Sequence, residues 1–282
     1  MDVQPLVSVI TPSYNQGQFL EATIDSVLAQ DYPRIEYLVV DGGSSDSSLD
    51  VLRSYDNRVR WISEPDRGQA DAINKGVTLT RGELVAWMNA DDVYTPGAIG
   101  RAVAVLQVHQ QAALVYGQAE FMDHRGNALG PSSHVRPFSL DQLIHDLDFV
   151  VQPATLFRRD AFLAVGGLNA DLHYCLDYDL WIKLALRYQV QYLPAVLAHA
   201  RIYPTTKTAS GGLKRLDEIE QMIRRYGRSH LPMFFYPEMV RACWAAGWQA
   251  VADRDWRQWA SATRRGMLYG GALLLREAGV RT

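Results

Sequence analysis

Trp87-Met88-Asn89-Ala90-Asp91-Asp92, preceded by the apolar run Leu84-Val85-Ala86, is the stretch on which the reading of this chain turns. Leu84 to Trp87 has the length and apolar continuity of a strand buried on both faces of a parallel sheet. Ligands in an open α/β sheet sit beyond the carboxyl ends of such strands, so Asp91 and Asp92 fall at a ligand crevice. Two hard anionic oxygens there suit a divalent cation such as Mg2+, which keeps several waters and shares a substrate's phosphates. The implied substrate is a nucleotide diphosphate. The same carboxylates also read as a cap for the helix after Thr95-Pro96, because Asp is favoured near helix starts and Pro at the first helical position.

Outward from this stretch the pattern repeats. Val7-Ser8-Val9-Ile10-Thr11-Pro12-Ser13-Tyr14-Asn15 reads as a strand running into a polar turn, followed by a helix through Phe19, Leu20, Ile24, Val27 and Leu28. A second strand, Tyr37-Leu38-Val39-Val40, ends in Asp41-Gly42-Gly43-Ser44-Ser45-Asp46. Strand and helix alternate over residues 6 to 108, which predicts an α/β fold with a parallel sheet covered on both faces. From 111 to 210 the sequence predicts a strand at Leu114-Val115-Tyr116-Gly117, a hairpin turn at His124-Arg125-Gly126-Asn127, a helix over 177 to 188 and a strand at Val190-Gln191-Tyr192-Leu193. Beyond Gly211-Gly212 it shifts to long helical stretches rich in Arg, Trp and Ala.

The 282 residues, 48% hydrophobic and 21% charged, suffice for one large or two modest cores. The two cysteines, Cys175 and Cys243, form no Cys-x-x-Cys pair, so neither a disulfide framework nor a zinc site is expected. From 212 onward there are 12 Lys and Arg against 7 Asp and Glu; with a whole-chain net of −3, residues 1 to 211 carry −8 and the tail +5. An acidic body argues against a nucleic acid polymer as partner, since phosphate backbones demand clustered Lys and Arg. Neither a secretory leader pattern nor an apolar run of about 18 to 20 residues is found. The expected location is cytoplasmic, either free or peripheral at the inner face of the membrane.

These blocks resemble, in order, those of the family 2 glycosyltransferases. To the segments already quoted are added Glu64-Pro65-Asp66-Arg67-Gly68-Gln69, Asn74-Lys75-Gly76, Gln152-Pro153-Ala154-Thr155, Val165-Gly166-Gly167-Leu168 and Asp177-Tyr178-Asp179-Leu180-Trp181. The resemblance covers about residues 5 to 210, and six or more ordered blocks make it specific where one would be weak. It implies a GT-A fold, Rossmann-like and mostly parallel with helices on both faces, plus a C-terminal helical region. Residues 1–110 become the nucleotide-sugar-binding half, 111–210 the acceptor-binding half of the same domain, and 211–282 the appended helices. The implied activity is inverting transfer of a sugar from a UDP-, dTDP- or GDP-linked donor to a glycan or lipid-linked acceptor, with Mn2+ or Mg2+, in polysaccharide or glycolipid biosynthesis.

The resemblance also distributes roles. The Tyr14 ring stacks on a base while backbone groups at Thr11 bond its edge, and Asp41 accepts from a uracil or thymine ring N–H; alternatively Tyr14 and Asp41 only shape turns. Asp71 and Asn74 lie three apart on one helix face and Arg67 precedes that face, where it either contacts the diphosphate or is simply surface-exposed. Asp91 is the expected metal ligand and Asp92 an auxiliary or a cap. Asp177 matches the general base that takes the acceptor's proton, whereas Asp179 reads as a first-turn residue favoured by the helix dipole.

Three positions depart from the family pattern. Asn89 replaces the first Asp of an Asp-x-Asp motif and is left to bond a ribose hydroxyl or a metal-bound water. Leu176 replaces a Glu. Tyr203 stands where relatives carry His; His199 cannot take over and reads as structural, and Lys207 is a candidate for the phosphates. These departures motivate an alternative, a catalytically weak nucleotide-sugar or glycan-binding subunit of a polysaccharide assembly complex. A nicotinamide-dependent dehydrogenase is set aside, because Thr11-Pro12-Ser13-Tyr14 stands where a Gly-x-Gly-x-x-Gly turn is required. In the tail, Ala252, Trp256, Trp259, Thr263, Met267, Gly270 and Leu274 form one apolar helical stripe, and Arg254, Gln258, Ser261 and Arg265 a polar one. The stripe is expected to pack on the catalytic domain or a second copy as a homodimer, or else to lie on an anionic membrane.

Overall fold

The computed structural model describes residues 4–132, 134–146, 148–226 and 235–277, with side chains to residue 274. Strand β1 (Val7–Ser13) is buried along its whole length and connects through helix α1 (Gly17–Leu28) to β2 (Ile35–Asp41). Helix α2 (Ser48–Ser54), β3 (Arg60–Ser63), α3 (Gln69–Leu79) and β4 (Leu84–Trp87) follow in the predicted alternation. A short β5 (Val93–Tyr94) and α4 (Ala98–Val108) lead to the long β6 (Ala112–Met122) and β7 (Ala128–Pro131). After α5 (Leu140–His145) and a 3-10 turn at Gln152–Ala154 come β8 (Thr155–Arg158), α6 (Arg159–Ala164), α7 (Leu176–Ala185) and β9 (Gln189–Arg201). The chain closes with α8 (Lys207–Ser210), α9 (Gly212–Arg225), α10 (Phe235–Ala252) and α11 (Trp256–Glu277).

The strands form one sheet in the order β3-β2-β1-β4-β8-β6-β9-β5, with β7 hairpinned onto β6. Strands β3, β2, β1 and β4 are mutually parallel, β8 runs antiparallel to both β4 and β6, and β6 is parallel to β9. Strand order reverses direction around β1 and β4, the kind of switch point that opens a crevice at the carboxyl ends.

Helices cover both faces, so β1, β2 and β4 read as apolar runs rather than alternations. Val7 and Val9 join Leu20, Ile24 and Val27 of α1 and Ile99, Val103 and Leu106 of α4 in one core. On the opposite face Ile10 meets α3 at Gly76, where a Cβ would fall 2.6 Å from the Ile10 Cγ2; only glycine lets the helix sit this close. Trp87 stacks on Trp181 of α7 with centroids 5.7 Å apart and planes 10° from parallel, and Phe157 stacks on Phe162 of α6 at 5.3 Å.

The chain divides into two compact units, one of residues 1–138 and 149–203, the other of 139–148 and 204–282. The first holds the whole sheet. In the second, α9 buries Leu216, Ile219, Met222 and Ile223, and α10 buries Phe235, Met239, Cys243 and Ala250. The stripe predicted to run unbroken from Ala252 is interrupted: α10 ends at Ala252, Arg254 adopts φ 56°, and α11 starts at Trp256. Arg265, expected on an outer polar face, is paired with Asp217 and Glu220. Among the described residues no helix is long and apolar enough to cross a membrane.

Candidate active site

Two loops at the carboxyl ends of β1 and β2 are tied together by hydrogen bonds. The Asn15 amide donates to Ser44 Oγ at 2.7 Å, the Ser45 amide to Asn15 Oδ1 at 2.9 Å, and the Gly17 amide to Asp46 Oδ2 at 2.9 Å. Asn15 holds φ 53°, the left-handed conformation that Asn tolerates better than most residues. Burial works against the charged form of Asp46, but hydrogen bonds from Ser48 and the Gly17 amide outweigh it and hold the carboxyl below its ordinary range.

The nucleotide candidates divide within this frame. Tyr14 projects 63% exposed from the first loop, the presentation a stacking ring requires. The Thr11 side chain is buried and shares a 3.0 Å hydrogen bond with the Tyr37 hydroxyl, so it faces the core. Asp41 is fully buried, and its carboxylate accepts from the Gly43 and Ser44 amides and from the hydroxyls of Ser44 and Ser63, at 2.5 to 3.1 Å. Four internal donors give it the turn-shaping role that was one of its two expected readings.

At the start of α3, Asp71 accepts from the Arg67 amide at 3.1 Å and lies 3.3 Å from its guanidinium, and both interactions hold its carboxyl low. The Arg67 side chain is 81% exposed. Asn74 has a task that the sequence did not disclose: it donates to the Leu168 carbonyl and accepts from the Leu168 amide, each at 2.9 Å. Its Oδ1 lies 2.7 Å from where a Cβ on Gly167 would stand, and Gly167 holds φ 66°, so glycine is required there twice over. Asn74 thus clasps the Val165–Leu168 turn, and a direct nucleotide contact is not the use this geometry gives it. Lys207 opens α8 in the second unit.

Beyond β4, the Asp92 amide closes a turn onto the Asn89 carbonyl at 3.1 Å. Asn89 accepts from Gln69 Nε2 at 2.7 Å and donates to Asp92 Oδ2 at 2.9 Å, while Asp92 Oδ1 receives the Arg201 amide at 2.8 Å. Asp92 is 5% exposed; burial, and then the charge of Asp91, push its carboxyl up to about 8. Buried and engaged at both oxygens, Asp92 has the surroundings of a cap. Asp91 is only half-buried, and its Oδ2 accepts from the Tyr203 hydroxyl at 2.8 Å. Burial, then the Asp91 charge, raise the Tyr203 phenol, which stays a neutral donor. His199 lies 3.4 Å from Glu120.

Arg201 was not singled out from the sequence, yet it secures this turn. Its Nε donates to the Asp91 carbonyl at 2.9 Å, its Nη1 to the Asp123 carbonyl at 2.9 Å, and its guanidinium lies 4.5 Å over the Phe19 ring, which also contacts Tyr203. Gln152, from the Gln-Pro-Ala-Thr block, donates to the Trp87 carbonyl at 2.8 Å. The buried Gln152 Oε1, Trp87 Nε1 and Trp181 Nε1 lack partners among the described residues.

Asp177 stands half-buried in the first turn of α7 and accepts from the Tyr178 amide at 2.8 Å. Trp181, one turn further on, stacks on Trp87, the last residue of β4, which fixes the Asp177 turn relative to the strand that delivers Asp91. Asp179 is buried and paired with Lys183 at 3.0 Å; Lys183 in turn donates to the Gly167 carbonyl at 2.6 Å. Asp179 therefore lies in the first turn of α7 and braces the helix through Lys183.

A family model described as glycosyl transferase family 2 matches residues 8–166, more than half of the chain. The chain belongs to glycosyl transferase family 2. This family 2 chain is 31% identical over 251 residues to an uncharacterized glycosyltransferase of Rickettsia prowazekii, covering 80% of the chain and 77% of that relative. Other relatives are longer, and the chain spans 34% of one of them. Among solved structures, the mannosyltransferase PcManGT from Pyrobaculum calidifontis, in complex with GDP-Man and Mn2+, superimposes with a TM-score of 0.63 at 20% identity, over 97% of this chain and 81% of that one. Staphylococcus aureus TarS 1-349 in complex with UDP-GlcNAc gives 0.61 at 14% identity, over 98% and 92%. At these identities the likeness is one of fold, and the fold is GT-A.

Among the described residues no three His, Cys, Asp or Glu side chains gather as a ligand set. Asp92 and Asn89 are engaged with each other and with Arg201 and Gln69, and Asp91, which accepts from Tyr203, is the half-buried carboxylate of the segment. One carboxylate is too little for a resident ion but fits one that arrives with its own waters and a diphosphate.

Proposed function

We propose that this family 2 chain is an inverting glycosyltransferase that moves a sugar from a nucleoside diphosphate donor to an acceptor hydroxyl in polysaccharide or glycolipid assembly. The observation that carries it is the Trp87–Trp181 stack, which braces the carboxylate-bearing start of α7 against the strand end that delivers Asp91. Asp177 accepts the proton of the acceptor hydroxyl as its oxygen bonds to the anomeric carbon; the bond from that carbon to the diphosphate breaks on the opposite face, and configuration inverts. Tyr14 stacks on the base, and Arg67 contacts the diphosphate. Asp91 is the residue that would hold Mn2+ or Mg2+, which when bound supplies charge neutralisation for the departing diphosphate. Tyr203 and Arg201 position Asp91. The folds that this one resembles include structures holding UDP-GlcNAc and GDP-Man, which supports a nucleotide-sugar donor without selecting the base.

The test is a panel of UDP-, dTDP- and GDP-sugars with and without Mn2+, read by thermal shift and by donor hydrolysis. Stabilisation and slow hydrolysis of one donor class in the presence of the cation support the proposal. Stabilisation with no turnover, even with acceptor candidates present, favours a binding subunit, the alternative to which the Tyr203 bond on Asp91 gives some weight. No donor-dependent shift at all contradicts both.

A further inference from the structure

All four tryptophans of the C-terminal helices are exposed: Trp244 at 49% and Trp248 at 72% on α10, Trp256 at 64% and Trp259 at 41% on α11. In the first unit the opposite holds, with Trp87 and Trp181 fully buried and Trp61 partly so. Helix α11 turns its small residues Ala262 and Gly266 inward, while Met267 and Leu274, at 65% and 67%, extend the tryptophan stripe outward. Within the second unit the apolar stripe legible in the sequence is therefore largely uncovered. The two helices approach closely at glycines: a Cβ on Gly266 would lie 3.2 Å from the Cys243 Cβ and 4.0 Å from Trp244 Nε1, which brings an α10 tryptophan to the α11 surface. An open groove lined by Trp259, Ala260, Thr263, Arg264, Met267 and Leu268 runs along this face.

An apolar surface of this extent on a folded chain marks a docking site, and charge selects the occupant. Arg257 and Arg264 are exposed, and their spacing sets them along one edge of the stripe. The residues from 212 onward carry +5 against −8 for the rest of the chain. A second copy seated on the same face would set its own Arg257 and Arg264 against these two, like charge on like charge. Tryptophan, with an apolar ring and one N–H donor, is enriched at the headgroup level of bilayers. We propose that the exposed face of α10 and α11 seats in the headgroup region of an anionic lipid bilayer, with the helices lying in the membrane plane rather than crossing it. Basic residues draw the face to the surface, and the tryptophans, Met267 and Leu274 enter the acyl boundary. This inference does not rest on the enzymatic proposal.

The experiment is co-sedimentation of the 282-residue chain with vesicles of phosphatidylcholine alone or with about 30% phosphatidylglycerol, in about 0.1 M and about 0.5 M salt. The expected result is binding to the anionic vesicles with a blue shift of tryptophan fluorescence, at least about tenfold weaker on neutral vesicles and at high salt. Trp248→Ser with Trp256→Ser, both at exposed positions, should keep the melting curve and lose at least about tenfold in binding. Arg257→Gln with Arg264→Gln should abolish the preference for anionic lipid while the chain stays folded. Failure of the wild-type chain to sediment with anionic vesicles overturns the proposal, as does undiminished binding by the tryptophan variant. A dimer seen by sedimentation velocity that the tryptophan variant dissolves also overturns it, by assigning the face to a second copy.

Discussion

Replacing Asn74 with Ala separates a structural clasp from a nucleotide ligand. The Asn74 side chain makes two hydrogen bonds, both to the backbone of Leu168 and both at 2.9 Å, across 94 residues of sequence. A net worth of about 1 kcal/mol each gives a loss of about 2 kcal/mol, with more if the stranded Leu168 amide and carbonyl stay dry. The cost is compounded because Gly167, at φ 66°, loses the neighbour that holds the turn, and Lys183 donates to the Gly167 carbonyl from the other side. Urea unfolding of Asn74→Ala, followed by near-ultraviolet circular dichroism of the buried tryptophans, should show a midpoint lowered in proportion and an unchanged slope. Donor-nucleotide affinity, measured well below the transition, should stay within about twofold. A stability change under about 0.5 kcal/mol together with a tenfold or greater loss of nucleotide affinity would refute the clasp and restore the ligand role.

Asp91→Asn should abolish cation-dependent nucleotide binding in calorimetry while the fold is kept, because an amide is a poor partner for a hard cation. Tyr203→Phe should weaken the same binding by about tenfold, as loss of a group that orients a metal-bound carboxylate does; unchanged titrations of both variants would remove Asp91 from the metal site. The Glu220 carboxyl offers a pH prediction: burial alone would raise it, but hydrogen bonds from Tyr269 and Arg224 and the charges of Arg224 and Arg265 hold it below its ordinary 4.5. The native state then binds fewer protons than the unfolded one, so this contribution is complete above about pH 4.5 and lost as pH falls through the lower folded value. The melting-temperature gap between wild type and Glu220→Gln should therefore narrow from about pH 5 to about pH 3, and a gap that widens on acidification would contradict the assignment. Asp179→Asn should destabilise by about 1 to 3 kcal/mol through loss of the buried Lys183 pair, with little change in donor binding.

The parallel half of the sheet was legible because burial on both faces leaves a continuous apolar signature, as in Leu84 to Trp87 and Tyr37 to Val40. Ordered blocks carried the family and pointed to the strand ends. Partners set by tertiary distance were not legible. Nothing local marks Arg201 as the residue that closes onto Asp92 across 109 positions, nor Asn74 as the clasp of Leu168. Asp41 and Asp92 show the limit of motif reading, since the side-chain type was noticed but burial and the count of internal donors decide what it does. The break at Arg254 was hidden because Ala252 and Trp256 are four apart, so the stripe keeps its period across two helices. Periodicity defines a face; which way it points depends on what packs behind it, and Ala262 and Gly266 took the inner position.

The most direct test of the central claim is the turnover of Asp177→Asn with a matched donor and acceptor, beside its donor affinity. If Asp177 takes the acceptor's proton, kcat should fall by about 10²-fold or more while donor Kd changes by less than about threefold, and the product should carry the anomeric configuration opposite to the donor's. Near-normal turnover in this variant, or a product that retains the donor's configuration, would contradict the account.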